Sequence, residues 1–255
     1  MSARSGSKNH LPAKDSAAED PGAAARALSH VIERSARVQA PAIRAYVGKL
    51  RAHNPNSTPA EIATRLEKHY LAAIMASGAA VGSAAAFPGI GTVTALAAVA
   101  GETVVFLEAT AVFVLAVAEV YGIPTDHHER RRALVLAVLV GDEGKQAIGD
   151  LLGNTRTNGA WLADGAAALP LPAMSQLNSR LLKFFVKKFA LKRGAIAFGK
   201  LLPAGIGAVI GGGGNRLMGK KIIQNTHDAF GPAPAKWPTS LLVLPTPTAP
   251  RALPE

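Results

Sequence analysis

Two glycine-rich segments contain the residue types of nucleotide-phosphate sites. Gly205-Ile206-Gly207, with Gly211 four residues later, imitates a dinucleotide-binding fingerprint, but the segment before it is not the strand that this fingerprint requires. Gly214 to Lys221 comes close to a phosphate-binding loop. Lys221 replaces the hydroxyl that would hold magnesium there, and no strand leads into it. We therefore reject both segments as nucleotide sites and interpret their glycines as points of close helix packing.

The segment His127-His128-Glu129 has the side chains of a metal site but not the geometry. Adjacent side chains on a helix diverge, and the sequence offers no third ligand. Together with Asp126 it predicts a capping box that opens a helix. Because no Ser, His and Asp grouping has a local signature either, the sequence predicts no catalytic residue, no metal and no cofactor.

The elements around these segments are predicted to be helices only. The chain has 255 residues, 49% hydrophobic, with few aromatic residues and many Ala and Gly, and no run alternates as strands do. The absence of cysteine excludes disulfides and thiolate metal sites. We predict a disordered N-terminal arm over residues 1–22, one helical domain over 23–230 and a Pro-rich disordered tail over 231–255.

Residues 69–101 contain no Lys, Arg, Asp or Glu. Thr58 to Glu61 forms a capping box before this stretch, Pro88-Gly89 interrupts it, and a second helix is predicted from Thr92 to Tyr121. The pattern predicts an apolar helical hairpin. Small residues four apart favour close helix packing, so we predict a seam of Gly78, Gly82, Gly207, Gly211 and Asn215.

The second arm of the hairpin carries acidic residues. Glu108 and Glu119 are eleven residues apart, which places them nearly on one face, and we predict a buried acidic pair. Either the pair points at a basic partner helix, or this arm is only partly immersed in the membrane. A carboxylate at the centre of a bilayer costs about 3 kcal/mol. Three interpretations stay open: a hairpin that spans the membrane, a helical bundle that binds or dips into the bilayer, and a wholly soluble bundle.

A basic helix is predicted from Ser175 onward. Residues 179–255 hold 12 Lys or Arg against Asp228 and Glu255 alone. Leu181, Leu182, Phe185, Val186 and Phe189 cluster on one side of that helix. Two interpretations stay open: a helix that lies in the membrane interface with its Phe side chains in the acyl boundary, and a surface helix that covers a protein core. The cations predicted to bind anionic lipid are Arg180, Lys183, Lys187, Lys188, Lys192 and Arg193.

Several segments, in this order, resemble the EcsC protein family. They are Pro88-Gly89-Ile90-Gly91-Thr92, Glu119-Val120-Tyr121-Gly122-Ile123, Glu129-Arg130, Leu202-Pro203-Ala204-Gly205-Ile206-Gly207-Ala208 and Gly214-Asn215. Phe230-Gly231-Pro232 with Trp237-Pro238 resembles the actinobacterial branch of that family. The likeness covers roughly residues 60–235. It implies an all-helical, membrane-associated bacterial protein, in a family named for a component encoded beside an ABC transporter, and it implies no catalytic residue.

The function predicted from the sequence is therefore a non-enzymatic, membrane-associated helical protein on the cytoplasmic face of a bacterial cell membrane. Its expected partners are anionic lipid and, through the resemblance, a transporter or another envelope protein. Two alternatives stay open: a basic nucleic-acid-binding protein, prompted by the C-terminal charge, and a hydrolase without a recognisable local motif.

Overall fold

The described part of the chain folds into helices. The computed structural model describes residues 30, 40–84, 92–152, 162, 169–200 and 206–238. Their side chains are described except at 81–84, 92–100, 151–152, 171, 188–200 and 206–212. Within these residues the structure is all-α, with seven helices and no strand, which confirms the predicted fold class.

The helices are α1 (Ala40–His53), α2 (Pro59–Ala84), α3 (Thr92–Val120), α4 (His128–Val140), α5 (Asp142–Leu152), α6 (Leu171–Lys200) and α7 (Ile206–Phe230). Helix α2 packs between α3 and α7, and α1 packs on α3. Helix α4 lies at the centre, in contact with α3, α5, α6 and α7, and every residue from Ala133 to Val140 is buried. Burial of this one short helix thus links all parts of the core.

The predicted hairpin is present as α2 and α3. The backbone N–H of Thr58 donates to Glu61 Oε2 over 2.9 Å, and the Glu61 N–H donates to Thr58 Oγ1 over 3.3 Å, so the predicted capping box is confirmed. Helix α3 begins at Thr92, as predicted. The Tyr70 and Thr110 hydroxyls lie 2.9 Å apart, and the Tyr70 and Phe113 rings stack with centroids 4.7 Å apart. Further along α2, Ile74 shares the Asn215 amide with Glu102, which lies earlier on α3 than Thr110, so the two helices run antiparallel.

The start of α4 differs from the prediction. Its N-cap residue is His127, and no side chain caps the first turn, so the predicted capping box at Asp126 is wrong. The Asp126 carboxylate instead forms an ion pair with Arg44 of α1. Arg131 holds the same connection through hydrogen bonds from Nη1 to the carbonyl oxygens of Thr125 (2.6 Å) and Asp126 (2.8 Å). The Asp126 carboxylate therefore pairs with a residue of α1 and does not cap the first turn of α4.

The chain continues to pack on the domain after α7 ends. The Tyr121 hydroxyl donates to Gly231 O over 2.9 Å, and Trp237 Nε1 donates to Ser57 O over 3.1 Å. The Arg51 guanidinium lies 4.1 Å from the centroid of the Trp237 ring. Residues 231–238 therefore belong to the packed domain rather than to the predicted tail. The predicted arm over residues 1–22 and the remainder of that tail lie outside the described residues.

Candidate functional site

One side of α6 forms a cationic face, which we define as Arg180, Lys183, Phe184 and Lys187. All four side chains are exposed, and their spacing places them on one side of the helix. Phe184 has 43% of its surface exposed. No acidic residue occurs in the sequence between Arg180 and Arg193. The face therefore presents positive charge with one aromatic ring among the cations.

The opposite side of α6 is part of the protein core. Leu177, Leu181 and Phe185 are buried, and α6 packs against α4 along this side. The interpretation that places this apolar side in the acyl boundary is therefore wrong for Leu181 and Phe185, because the central helix already covers them. The periodicity located an apolar side correctly, but it did not show what that side contacts. Among the side chains of α6 that the structure describes, the exposed aromatic one is Phe184.

The cations of this face have little competition from acids. Arg180 Nη1 lies 3.9 Å from Asp150 Oδ2 of α5, and both side chains are more than half exposed. Lys183 and Lys187 form no ion pair with the described residues. The predicted lipid-binding residues Lys188, Lys192 and Arg193 lie on the α6 backbone, but their side chains fall outside the described part of the chain. At least two lysines are thus free to meet an external anion.

A second group of exposed apolar side chains, which we call the apolar end, lies on the half of α2 that leads to the hairpin turn and close to the hydrogen-bonded residues Glu102 of α3 and Asn215 of α7. It consists of exposed alanines on the second half of α2 together with Val105 of α3, 45% exposed, and Leu217 of α7, 72% exposed. The exposed alanines are Ala72, Ala73, Ala76, Ala79 and Ala80. Helix α6 ends at Lys200, and α7 begins six residues later at Ile206. Six residues of extended chain span at most about 20 Å, so the two helix ends lie within that distance of each other. The end of the basic helix therefore approaches the end of the domain where α7 starts.

Helix α3 contains a stretch long and apolar enough to cross a membrane. This stretch, Gly101–Val120, has 20 residues and a mean hydropathy of 2.1. Within the domain 67% of it is buried, and all eight residues from Phe113 to Val120 are buried. The core helix of a soluble protein has the same properties, so this stretch by itself is weak support for a membrane span.

The two glutamates predicted as a buried pair lie in different surroundings. Glu119 is 8% exposed and has its Oε2 atom 3.8 Å from Arg44 Nε of α1. Burial raises the pKa of Glu119, and the Arg44 charge opposes this rise. Glu108 is only partly buried, because it lies on the same less covered stripe of α3 as Val105, so the predicted buried pair is wrong for Glu108.

The fully buried glutamate of α3 is Glu102, which is 1% exposed. Asn215 Nδ2 of α7 donates to Glu102 Oε1 over 2.8 Å and to Ile74 O of α2 over 2.9 Å. Three helices therefore meet at one amide. Glu102 directly follows the uncharged run of residues 69–101. This position in the sequence was a signal that the Glu102 carboxylate lies in the core.

The residues predicted as a packing seam are partly described. Gly78 and Asn215 are both buried, on α2 and α7, whereas the surroundings of Gly82, Gly207 and Gly211 fall outside the described side chains. Helices α2 and α7 also pack closely at Gly219, one turn after Asn215. There a Cβ atom placed on Gly219 would lie 2.2 Å from Ile74 Cδ1. The small residue at this position thus lets α7 lie directly on α2.

Comparison with protein-family models, curated proteins and solved structures finds no match to this chain. The resemblance to the EcsC family therefore stays a prediction from its motifs. No group of three His, Cys, Asp or Glu side chains with the arrangement of a metal site occurs in the described part of the chain. The candidate functional surfaces are therefore the cationic face and the apolar end.

Proposed function

We propose that this protein is a non-enzymatic helical protein that binds the cytoplasmic face of a bacterial cell membrane. The observation that carries the proposal is the cationic face of α6, on which Arg180, Lys183 and Lys187 are exposed together on one side of a helix whose other side is anchored in the core. A helix held in this way presents its cations without any folding cost at the time of contact.

The expected attraction follows from the charge of the cytoplasmic leaflet. Each Lys or Arg close to an anionic membrane contributes about 1 kcal/mol, and the effect fades over about 10 Å in moderate salt. The three described cations of the face therefore contribute about 3 kcal/mol, which suits reversible binding. Phe184, 43% exposed among them, adds an aromatic ring at the depth of the headgroups.

The apolar end supplies the second contact in this proposal. Its alanines, Val105 and Leu217 lie at the end of the domain that α6 approaches through Lys200. We infer that this end dips into the headgroup region while the cations hold the surface charge. Alanine is a weak driver of insertion, so shallow contact is favoured over a stable span.

The biological setting in this proposal comes from the resemblance to the EcsC family. That likeness implies a bacterial envelope protein and a position beside a transporter or another membrane protein. The +10 balance of residues 179–255, which is 12 basic minus 2 acidic residues, supports an anionic partner for that end of the chain.

The test is co-sedimentation of the full-length protein with phosphatidylcholine vesicles that contain or lack phosphatidylglycerol. Replacing Lys183 and Lys187 by Glu removes two cations, so binding to the anionic vesicles should weaken by at least about 30-fold. Lys49→Glu with Lys236→Glu is the matched control, since both lysines are exposed, the charge change is identical, and they lie next to Arg51 and Trp237, near the start of α2 and away from the hairpin turn. The control should bind within about threefold of the unchanged protein, because its lysines are not on the cationic face.

Two results would overturn the proposal. Equal losses in both double variants would show that net charge, and not this face, determines binding. Binding to duplex DNA that vesicles of either composition fail to compete away would favour the nucleic-acid alternative instead.

A further inference from the structure

A pocket of about 390 Å³ lies where α7 ends and α5 begins, and it shares no residue with the cationic face. The described residues that line it are Gly141, Asp142, Lys145, Asn225, His227, Asp228 and Gly231. Its volume lies in the range of small-molecule sites. The lining is mostly polar and comes from two segments, 141–145 and 225–231, that are far apart in the sequence.

Asn225 is a buried polar side chain at the base of this pocket. It is 7% exposed, and its Nδ2 atom donates to Val138 O over 2.8 Å. Gly141, with φ of 77°, permits this approach, since a Cβ atom there would lie 2.8 Å from Asn225 Nδ2. The Asn225 Oδ1 atom accepts no hydrogen bond within the described residues, and it is not sealed off in the core. An amide oxygen that faces a pocket and has no protein donor can accept a hydrogen bond from water or from a ligand.

The charges around that oxygen are mainly negative. Asp142 and Asp228 are both exposed at the pocket, and Asp228 Oδ1 accepts one hydrogen bond from Gln224 Nε2 over 2.9 Å. His227 Nε2 lies 2.6 Å from Glu67 Oε1, which brings a third carboxylate next to the lining. The last turn of α7 also directs the negative end of its helix dipole at the pocket. This is an acidic site on a chain whose net charge is +11.

We propose that this pocket binds a small ligand through a protonated amine. The carboxylates of Asp142 and Asp228 balance the charge of the ammonium group, and Asn225 Oδ1 accepts one of its N–H donors. Lys145 stands three residues after Asp142 on α5, so it repels a second cation and attracts a carboxylate on the same ligand. The proposal is independent of membrane binding.

The experiment is an NMR titration of the full-length protein with three probes of similar length. Putrescine and γ-aminobutyrate both carry an ammonium group, and the diol analogue of putrescine carries none. Both amines should shift the amide signals of Gly141, Asn225 and Gly231, and the diol should not. Tighter binding of γ-aminobutyrate would assign an amino acid as the ligand class, and tighter binding of putrescine would assign a polyamine.

Charge variants check that the contacts are those proposed. Asp228→Asn and Asp142→Asn should each weaken putrescine binding about two- to fivefold, the effect of one partly exposed ion pair. Lys145→Gln should strengthen it by a similar factor, which misfolding would not do. The absence of shifts with either amine, equal shifts with the diol, or an affinity unchanged in all three variants would overturn the proposal.

Discussion

Replacing Gly219 by Ala tests the close packing of α7 on α2. The added methyl group would lie 2.2 Å from Ile74 Cδ1 and 2.9 Å from Leu71 Cδ2, so at least one side chain must move. Both atoms are the ends of flexible side chains, but Ile74 is completely buried, so a shift of its terminal methyl group moves it against other core side chains. Overpacking of this kind costs about 1–3 kcal/mol, and Ala in place of Gly in a helix returns about 1 kcal/mol. We expect a net loss of about 1–2 kcal/mol.

Gly213 and Gly214 provide matched controls on the same helix. A Cβ atom at either position meets nothing within 4 Å, so only the gain in helix propensity remains. Gly213→Ala and Gly214→Ala should each raise stability by about 0.5–1 kcal/mol. The same amino-acid change is thus expected to have opposite signs at positions five or six residues apart, and the difference isolates the contact with α2.

A double-mutant cycle identifies the atom responsible. Ile74→Val removes the Cδ1 atom and alone should cost about 0.5–1.5 kcal/mol. In the Gly219→Ala background the same change makes room for the new methyl group, so it should cost at least about 0.5 kcal/mol less. Urea denaturation followed by circular dichroism gives all four free energies of unfolding. The packing argument fails if Gly219→Ala stabilises the protein as Gly213→Ala does, or if the cycle is additive.

Two further predictions concern contacts between distant parts of the chain. Arg44→Met should lower the free energy of unfolding by about 1 kcal/mol at neutral pH, because Glu119 loses its cation. Arg44 lowers the pKa of Asp126, and burial raises the pKa of Glu119, so the benefit of the cation is lost as pH falls and both carboxyls protonate. Urea titrations of both proteins should therefore converge in acid, and a constant difference would contradict this explanation. Trp237→Ala removes a hydrogen bond to Ser57 O and the contact with Arg51, which together contribute about 2 kcal/mol. A melting temperature unchanged by that replacement would show that residues 231–238 do not stabilise the domain.

Local patterns predicted the helices well. The capping box at Thr58 and the start of α3 at Thr92 depend on residues within one or two turns, so the sequence contains the whole cause. The predicted cap at Asp126 failed for the opposite reason. Its carboxylate is taken by Arg44, 82 residues earlier in the chain, and spacing alone does not show a contact of that range.

The candidate site shows the same limit. Helical periodicity separated the cations of α6 from its apolar side, but the identity of the cover, helix α4, depends on tertiary packing. Phe184 fell among the lysines in the sequence, and its exposure gives this position its importance. The polar pocket was not predicted, because Asp142, Asn225 and Asp228 come together only when α5 and the end of α7 meet.

Helix α7, which packs on α2, is the last of the described helices to be synthesised. Ile74 receives Asn215 and Gly219 from about 140 residues later, so a nascent chain displays the bare hairpin through most of its elongation. During that interval α7 does not yet cover the alanines and glycines of α2, so chaperones or the bilayer can bind them. Ribosome-bound intermediates should accordingly associate with other molecules more readily than the folded domain does. Cellular quality control would recognise this protein chiefly during translation.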